Sequence, residues 1–227
     1  MRVISLFLGD IRFQFKYGFY FLYLIFSMIY IALIYAFPVE WRKTSAIIMI
    51  FSDPAAMGLY FMGAIILFEK SERVLDSIAI SPVKAYEYVL SKLCSIGVIS
   101  VVVAVAIGFG SSIISDPFYF ITGTFLCSCL FSAIGLIVAC KINTLNQFVI
   151  ATIPAEILIN IPALAWIFGY KKSWLQFHPG VCLIELLNGN SKSLTSLLLL
   201  LLWTLVFIKY AELVVKKTLK SVGGVKL

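Results

Sequence analysis

The side chains most able to do chemistry in this sequence are polar groups set inside long apolar runs. Glu156 is the strongest candidate, because it lies between Pro154 and Asn160 in the middle of such a run. An ionisable residue at membrane depth is a functional candidate by default. Glu156 and Asn160 are therefore candidates for a pathway that takes a cationic or polar substrate. A structural role is the favoured alternative for Glu156, which would satisfy backbone groups freed by the prolines, and Asn160 could equally bond across a helix interface.

Sequence patterns of common catalytic and metal sites do not occur. The sequence has one histidine, His178, and neither an HExxH nor a GxSxG pattern;. It also has no GxxxxGK[ST] loop, which would hold the phosphates of ATP;. Four of the five cysteines fall in or beside apolar runs, where cysteine behaves as a small hydrophobe;. We therefore expect no catalytic residue, no metal site and no disulfide framework in this chain.

The composition is that of a membrane protein. Of the 227 residues, 62% are hydrophobic and 13% are charged, whereas a soluble domain is about half apolar and a quarter charged. Unbroken runs such as SLLLLLLWTLVFI indicate helices rather than the short alternating segments of a β-barrel. The net charge of +7 reflects basic residues at the ends of spans, so we expect no nucleic-acid partner.

The whole chain, 1–227, is predicted to form one all-α transmembrane domain with six spans. The second span ends at Phe68 and is expected to begin near Asp53, with Asp53 as its N-cap and Pro54 in its first turn;. The other five spans are predicted at 18–37, 88–109, 118–140, 147–168 and 193–208. The two prolines of the fifth span predict a kink or a break.

Three further helical pieces are predicted outside the spans. Residues 1–17 alternate polar and apolar faces and predict an amphipathic helix in the membrane interface;. The alternative is an extension of the first span. Residues 170–192 contain an apolar piece too short to span, which predicts a re-entrant or surface helix;. Residues beyond 208 predict a helical extension into water.

The distribution of basic residues orients the chain. With six spans, 13 of the 18 Lys and Arg residues fall on the side that holds both termini, the stretch 69–92 and the loop 141–146. The other five fall on the opposite side. The positive-inside rule therefore places both termini and the stretch 69–92 in the cytoplasm.

The stretch 69–92 is the long polar segment between two spans. Val74, Leu75 and Ile78 lie on one face of a short amphipathic helix within it;. Ser81-Pro82 is expected to end this helix and to begin the next one. The helix could dock onto a cytoplasmic partner, or it could be a solvated linker on the lipid headgroups. The pattern alone favours neither.

The run from Phe51 to Lys92 resembles the corresponding region of ABC-2-type transporter permeases, most nearly the small drug- or peptide-export permeases of bacteria. The features that carry the resemblance are two glutamates at the end of the second span, a leucine, a Ser-Pro pair and a lysine entering the third span. They are Glu69, Glu72, Leu75, Ser81-Pro82 and Lys92. In outline the resemblance covers the whole chain.

The resemblance implies a non-catalytic membrane subunit in the bacterial cytoplasmic membrane. Two permease chains would form a dimer, and a coupling helix at 71–80 would dock into separate cytoplasmic ATPase subunits, which bind ATP and Mg²⁺. The chain itself would hold no cofactor. The implied ATPase-coupling residues are Glu69, Glu72, Arg73, Leu75, Ile78 and Pro82. The substrate would be a drug, a peptide or a lipid-like amphiphile, and its direction would be export.

Two other classes remain open. A secondary, ion-coupled transporter is expected to show inverted repeats and several charges at the midplane, and no repeat is detected. A membrane enzyme or scaffold that acts on lipid would need a cluster of catalytic polar residues at one interface, and none is seen.

Overall fold

The computed structural model describes residues 2–111, 113–189 and 193–222, and every regular element in that part of the chain is a helix. In chain order the α-helices are α1 (Arg2–Lys16), α2 (Phe19–Ala36), α3 (Val39–Ser52), α4 (Leu59–Ser71), α5 (Val74–Ala79), α6 (Ala85–Ser111), α7 (Pro117–Lys141), α8 (Leu145–Ile167), α9 (Pro179–Asn188) and α10 (Ser193–Val222). Among the described residues, five helices are long and apolar enough to cross a membrane: α2, α6, α7, α8 and α10.

The second predicted span has a different form from the one expected. A π-helix, Asp53–Gly58, joins α3 to α4, so the helical path runs from Val39 to Ser71 without beginning at Asp53. Asp53 has helical dihedrals (φ −61°, ψ −59°), and its N–H donates to the carbonyl of Met49. The N-cap prediction for Asp53 is therefore wrong. A π-turn changes the hydrogen-bond spacing locally, and the helix can then pass the proline that lacks an N–H.

The start of α6 also differs from the prediction. Ser81-Pro82 lies in the connection, and α6 begins only at Ala85. The side chain of Glu87 accepts a hydrogen bond of 2.8 Å from the N–H of Lys84. A glutamate at the third helical position commonly caps the first turn in this way, so Glu87, rather than Pro82, sets the start of the helix.

Helix α7 lies at the centre of the bundle and packs against α4, α6 and α10. Its contact with α4 is close because Gly135 has no side chain: a Cβ there would overlap the carbonyl of Leu59. Small residues at helix interfaces allow such approaches in membrane proteins. Helices α2 and α8 are much less buried than α6 and α7.

Helix α1 (Arg2–Lys16) covers most of the residues 1–17 that were predicted to form the interfacial helix. Arg12 and Lys16 are exposed, as the amphipathic pattern predicts. The other side of α1 packs on α6 and buries two polar residues, Asp10 and Gln14. Gln14 donates a hydrogen bond of 2.7 Å to Ser95 of α6. The helix is therefore attached to the bundle by polar contacts that its hydrophobic pattern does not reveal.

Helix α8 is continuous, although Pro154 and Pro162 lie inside it. A proline at position 162 leaves the carbonyl of Leu158 without its usual N–H donor. The imidazole Nε2 of His178 lies 3.0 Å from that carbonyl oxygen. The predicted break is therefore absent, because a side chain from the following segment supplies one of the missing donors. This segment contains a 3₁₀ turn, Ser173–Phe177, and then α9, and its last predicted residues, 190–192, lie outside the described part.

The hydrogen bonds at the two ring nitrogens of His178 determine which nitrogen of the neutral ring carries the proton. Nδ1 accepts a hydrogen bond of 3.2 Å from the N–H of Gly180, so Nε2 carries the proton that is donated to Leu158;. A second proton on Nδ1 would face a donor instead of an acceptor. Burial lowers the pKa of His178 from its ordinary value of 6.5.

Acid is therefore expected to weaken the attachment of α9 to α8. Because the folded pKa of His178 is below the unfolded pKa of 6.5, the unfolded chain binds more protons as the pH falls below that value. Stability is full above it and declines towards the lower folded pKa. Melting curves between about pH 7.5 and pH 5.5 should show this decline. The variant His178→Gln keeps a donor and an acceptor, and its melting temperature should fall less. An equal decline in both proteins would contradict the assignment.

Candidate functional site

The connection between α4 and α6, residues 72–84, is here called the coupling segment. It contains one six-residue helix, α5, which is shorter than the predicted 71–80. Arg73 enters this helix with a positive φ of 55°, a conformation that non-glycine residues adopt uncommonly. The turn at Arg73 separates α5 from the end of α4.

The apolar face predicted for docking turns partly inward. Leu75 is buried, and Ile78 is partly buried against the core, because α5 packs against α10. Ile80, which follows α5, is 86% exposed. The other exposed side chains of the coupling segment are polar or small: Glu72, Arg73, Asp76, Ser77, Pro82 and Lys84. The surface that a partner could touch is therefore charged, with one large apolar side chain.

Four buried side chains lie close to the two ends of the coupling segment, and we call them the buried charge cluster: Asp10, Glu69, Tyr88 and Lys92. The Nζ of Lys92 lies 2.5 Å from Oδ1 of Asp10 and forms a second salt bridge with Oε1 of Glu69. The hydroxyl of Tyr88 donates to Oε2 of Glu69 at 2.5 Å. The cluster joins α1, α4 and α6 at one end of the bundle.

Glu69 was predicted to be an ATPase-coupling residue, and the structure places it inside the protein, 4% exposed. The physical reason is Lys92, which lies 23 residues further along the chain and neutralises the buried carboxylate;. Both residues stand out in the sequence, but no sequence pattern indicates that their side chains form a salt bridge. Asp10 was missed, although its position as an acid in an apolar stretch was the available indication.

Lys70 connects the same end of α4 to the centre of the bundle. Its ammonium donates to three carbonyl oxygens at the end of α7, those of Ala139, Cys140 and Ile142, at 2.8, 2.9 and 2.7 Å. The last carbonyls of a helix lack intrahelical donors, and a cation there also interacts favourably with the helix dipole. Lys70 therefore acts as a C-terminal cap supplied by a neighbouring helix.

Replacing Lys70 by methionine should lower the free energy of unfolding by about 1–3 kcal/mol, because carbonyls bonded to a charged group lose their donor. The matched control is Lys141→Met, since Lys141 is exposed in the last turn of α7 and should change the value by less than about 1 kcal/mol. Denaturant unfolding of the detergent-solubilised protein measures both. Equal losses in the two variants would contradict the capping role.

The coupling segment is thus attached to four helices, α1, α4, α6 and α10. It continues from α4 and into α6, and it packs on α10 through Leu75. Arg2 of α1 donates to the carbonyl of Pro82 at 2.9 Å. Lys70, at the end of α4 beside it, holds α7. A displacement of the coupling segment would therefore also displace the helices attached to it.

Glu156 and Asn160 lie elsewhere, on α8, and both are half-buried. Oε1 of Glu156 is buried and has no hydrogen-bond partner among the described residues. Its electrostatic neighbour is Tyr60 of α4, which also interacts with Thr152. The structural role favoured from the sequence was to satisfy backbone groups freed by the prolines. At Leu158, the carbonyl freed by Pro162, the hydrogen bond comes from His178 and not from Glu156.

No group of three or more His, Cys, Asp or Glu residues that could hold a metal ion occurs in the described part of the chain. The five cysteines, all within that part, are free thiols.

Several helices that are long and apolar enough to cross a membrane define a multi-pass membrane protein. The model of the fluoroquinolones export permease protein family matches residues 2–221. The chain therefore belongs to this family.

Two curated relatives from Mycobacterium tuberculosis are similar to this chain. They are the fluoroquinolones export permease proteins of strain CDC 1551 / Oshkosh and of strain ATCC 25618 / H37Rv, each 27% identical over 143 residues. The matched region covers 61% of this chain and 59% of each relative. The chain therefore matches less than two thirds of the length of these relatives.

Proposed function

We propose that this chain is the transmembrane subunit of an ATP-binding-cassette exporter of the ABC-2 type. In this proposal two permease chains form the substrate pathway, and cytoplasmic ATPase subunits supply the energy. The observation that carries the proposal is the coupling segment, a short helix with an exposed charged surface that is attached to four helices. Such a segment can receive movement from a bound partner and pass it to the bundle.

The ATPase contact is assigned to the exposed residues of the coupling segment. Ile80 would enter an apolar pocket of the ATPase, and Glu72, Arg73 and Pro82 would surround it. Large side chains at the centre of an interface with a polar rim supply most of the binding energy. Leu75 and Ile78 act from inside, by holding α5 against the bundle. Glu69 acts through Lys92 rather than by touching the partner.

The proposed topology has six crossings. The path α3, π-helix and α4 would cross once, and the five long apolar helices would each cross once. Helix α1 would lie in the interface, with Arg12 and Lys16 towards water;. Basic residues are in excess at the end that holds both termini and the coupling segment, which supports a cytoplasmic location for that end;. The membrane would be the bacterial inner membrane.

The second permease chain is expected to cover part of α8. This helix is sparsely packed in the single chain and exposes large apolar residues, among them Ile150, Leu158 and Ile161. Glu156 and Asn160 lie on the same helix and are proposed to line the pathway between the two copies. A carboxylate there would attract a cationic group of the substrate. The relatives are named for fluoroquinolones, so we propose a planar, amine-bearing drug of that kind as the substrate.

Co-expression of the chain with an ABC ATPase tests the proposal. The purified complex in proteoliposomes should hydrolyse ATP faster when a fluoroquinolone is added, and it should transport the drug only with ATP. A lysine-to-alanine change in the Walker A motif of the ATPase is the control and should abolish both. Drug transport by this chain alone, driven by an ion gradient, would contradict the proposal and would support the secondary transporter.

A further inference from the structure

The π-helix contains the most unusual ionisable group of the described chain. Asp53 is completely buried, and neither oxygen of its carboxyl group has a hydrogen-bond partner among the described residues. The hydroxyl of Tyr23, which is 2% exposed, also has no partner in the same part of the chain. Buried polar groups without partners are rare and call for an explanation.

The surroundings of Asp53 contain hydroxyl groups. Its electrostatic neighbours are Ser100 of α6 and the two tyrosines of α2, Tyr23 and Tyr30. Ser100 in turn accepts a hydrogen bond of 3.0 Å from Ser128 of α7. None of these groups is charged at neutral pH. The acid of α8, Glu156, interacts instead with Tyr60 of α4.

Glu69 differs from Asp53 because its buried carboxylate has partners. Glu69 is buried to a similar degree, but a salt bridge with Lys92 and a hydrogen bond from Tyr88 stabilise its negative charge. No cation forms a salt bridge with Asp53 in the described part of the chain. Burying an isolated carboxylate costs several kcal/mol, and the neutral acid avoids that penalty. Burial without a counter-charge therefore favours the protonated form of this carboxyl group.

The backbone at Asp53 departs from a regular α-helix. The π-helix begins at this residue, and π-turns are often found at functional sites;. Pro54 has no N–H with which to bond the preceding turn. The carbonyl of Gly58, at the other end of the π-helix, accepts a hydrogen bond of 3.2 Å from Ser132 of α7. Helix α4 leads from this point to the coupling segment, so a movement of α4 relative to α3 would pivot at Asp53.

We infer that Asp53 is a proton-binding site, which holds a proton in this conformation and releases it when the π-helix rearranges. On release the carboxyl O–H bond breaks, the proton passes to water, and the carboxylate remains. This inference goes beyond the proposed function, because proton binding does not depend on which ATPase, if any, drives the permease.

Infrared spectroscopy of the full chain in nanodiscs tests the bound proton. At neutral pH the wild type should show the C=O band of a protonated carboxyl group, and Asp53→Asn should lack it. The control Asp116→Asn removes an exposed carboxylate that caps α7 and should leave the band unchanged. If Asp53→Asn does not fold, ¹³C-labelled aspartate should shift the band in the wild type. An absent band, or one that the aspartate label does not move, would overturn the inference.

Two further measurements define the site. Replacing potassium by sodium should leave the band unchanged, and its loss in sodium alone would overturn the inference in favour of an alkali-cation site. The release step rests on the proposed function and is tested with the ATPase complex trapped by vanadate, where the band should weaken. A band that persists in the trapped complex would overturn proton release. That result would not contradict ATP-driven transport, which is measured separately with the drug.

Discussion

Replacing Lys92 by methionine is expected to lower the free energy of unfolding by about 3–5 kcal/mol, the usual effect of breaking a buried ion pair. Methionine keeps an unbranched side chain one atom shorter than lysine but leaves the carboxylates of Asp10 and Glu69 buried without a counter-charge. Three helices meet at the buried charge cluster, so the loss should loosen α1 as well as the α4–α6 contact. Denaturant unfolding in a defined detergent measures the change.

The matched control is Lys209→Met. Lys209 also forms a salt bridge, 3.0 Å from Glu212, but its side chain is 78% exposed, and exposed pairs contribute about 0–1 kcal/mol. Adding Asp10→Asn and Glu69→Gln to Lys92→Met should recover part of the loss, because no charge is then left buried. A loss in Lys92→Met no larger than in the control would show that the cluster does not stabilise the fold.

The second large effect is expected for transport. Ile80→Asp should reduce binding of the ATPase by about 30-fold or more, which corresponds to the roughly 2 kcal/mol of a central interface residue. Because the side chain of Ile80 is 86% exposed, the substitution removes little internal packing and should leave the melting temperature unchanged. Co-purification of the ATPase and drug-stimulated ATP hydrolysis measure the loss.

Two further variants separate docking from folding. Val39→Asp makes the same kind of change at a residue that is 74% exposed at the start of α3, and it should leave ATPase binding intact. Leu75→Asp places a charge in the packed interior between α5 and α10, so it should destabilise the protein rather than only uncouple it. Normal ATPase binding by Ile80→Asp would reject the docking role of the coupling segment.

The long helices were predictable because lipid imposes a simple requirement. About 20 consecutive apolar residues are needed to span the hydrocarbon. The predictions 88–109 and 118–140 lie within three residues of the observed ends of Ala85–Ser111 and within one residue of those of Pro117–Lys141. The position of the polar stretch between α4 and α6 followed from the same requirement.

The details that the sequence did not reveal depend on contacts between residues distant in sequence. Asp53-Pro54 has the local pattern of a helix start, but the surrounding helices favour a continuous helix with a π-turn. Glu69 and Leu75 carry the family pattern, yet whether each side chain faces a partner or the interior is decided by Lys92 and by α10. A single sequence does not contain the positions of these neighbours. It did identify Glu156 as an ionisable group at depth, and its role remains a prediction.

The pairing of Asp10 with Lys92 also constrains how the protein can be made. The two residues are 82 positions apart, and ribosomes add about 5–20 residues per second, so α1 emerges roughly 4–16 s before its partner. Through that interval the newly made N-terminal helix must wait at the membrane surface, where water can solvate its carboxylate. Only when α6 enters the bilayer can α1 dock, so α1 is synthesised before α6 but cannot reach its final place before it.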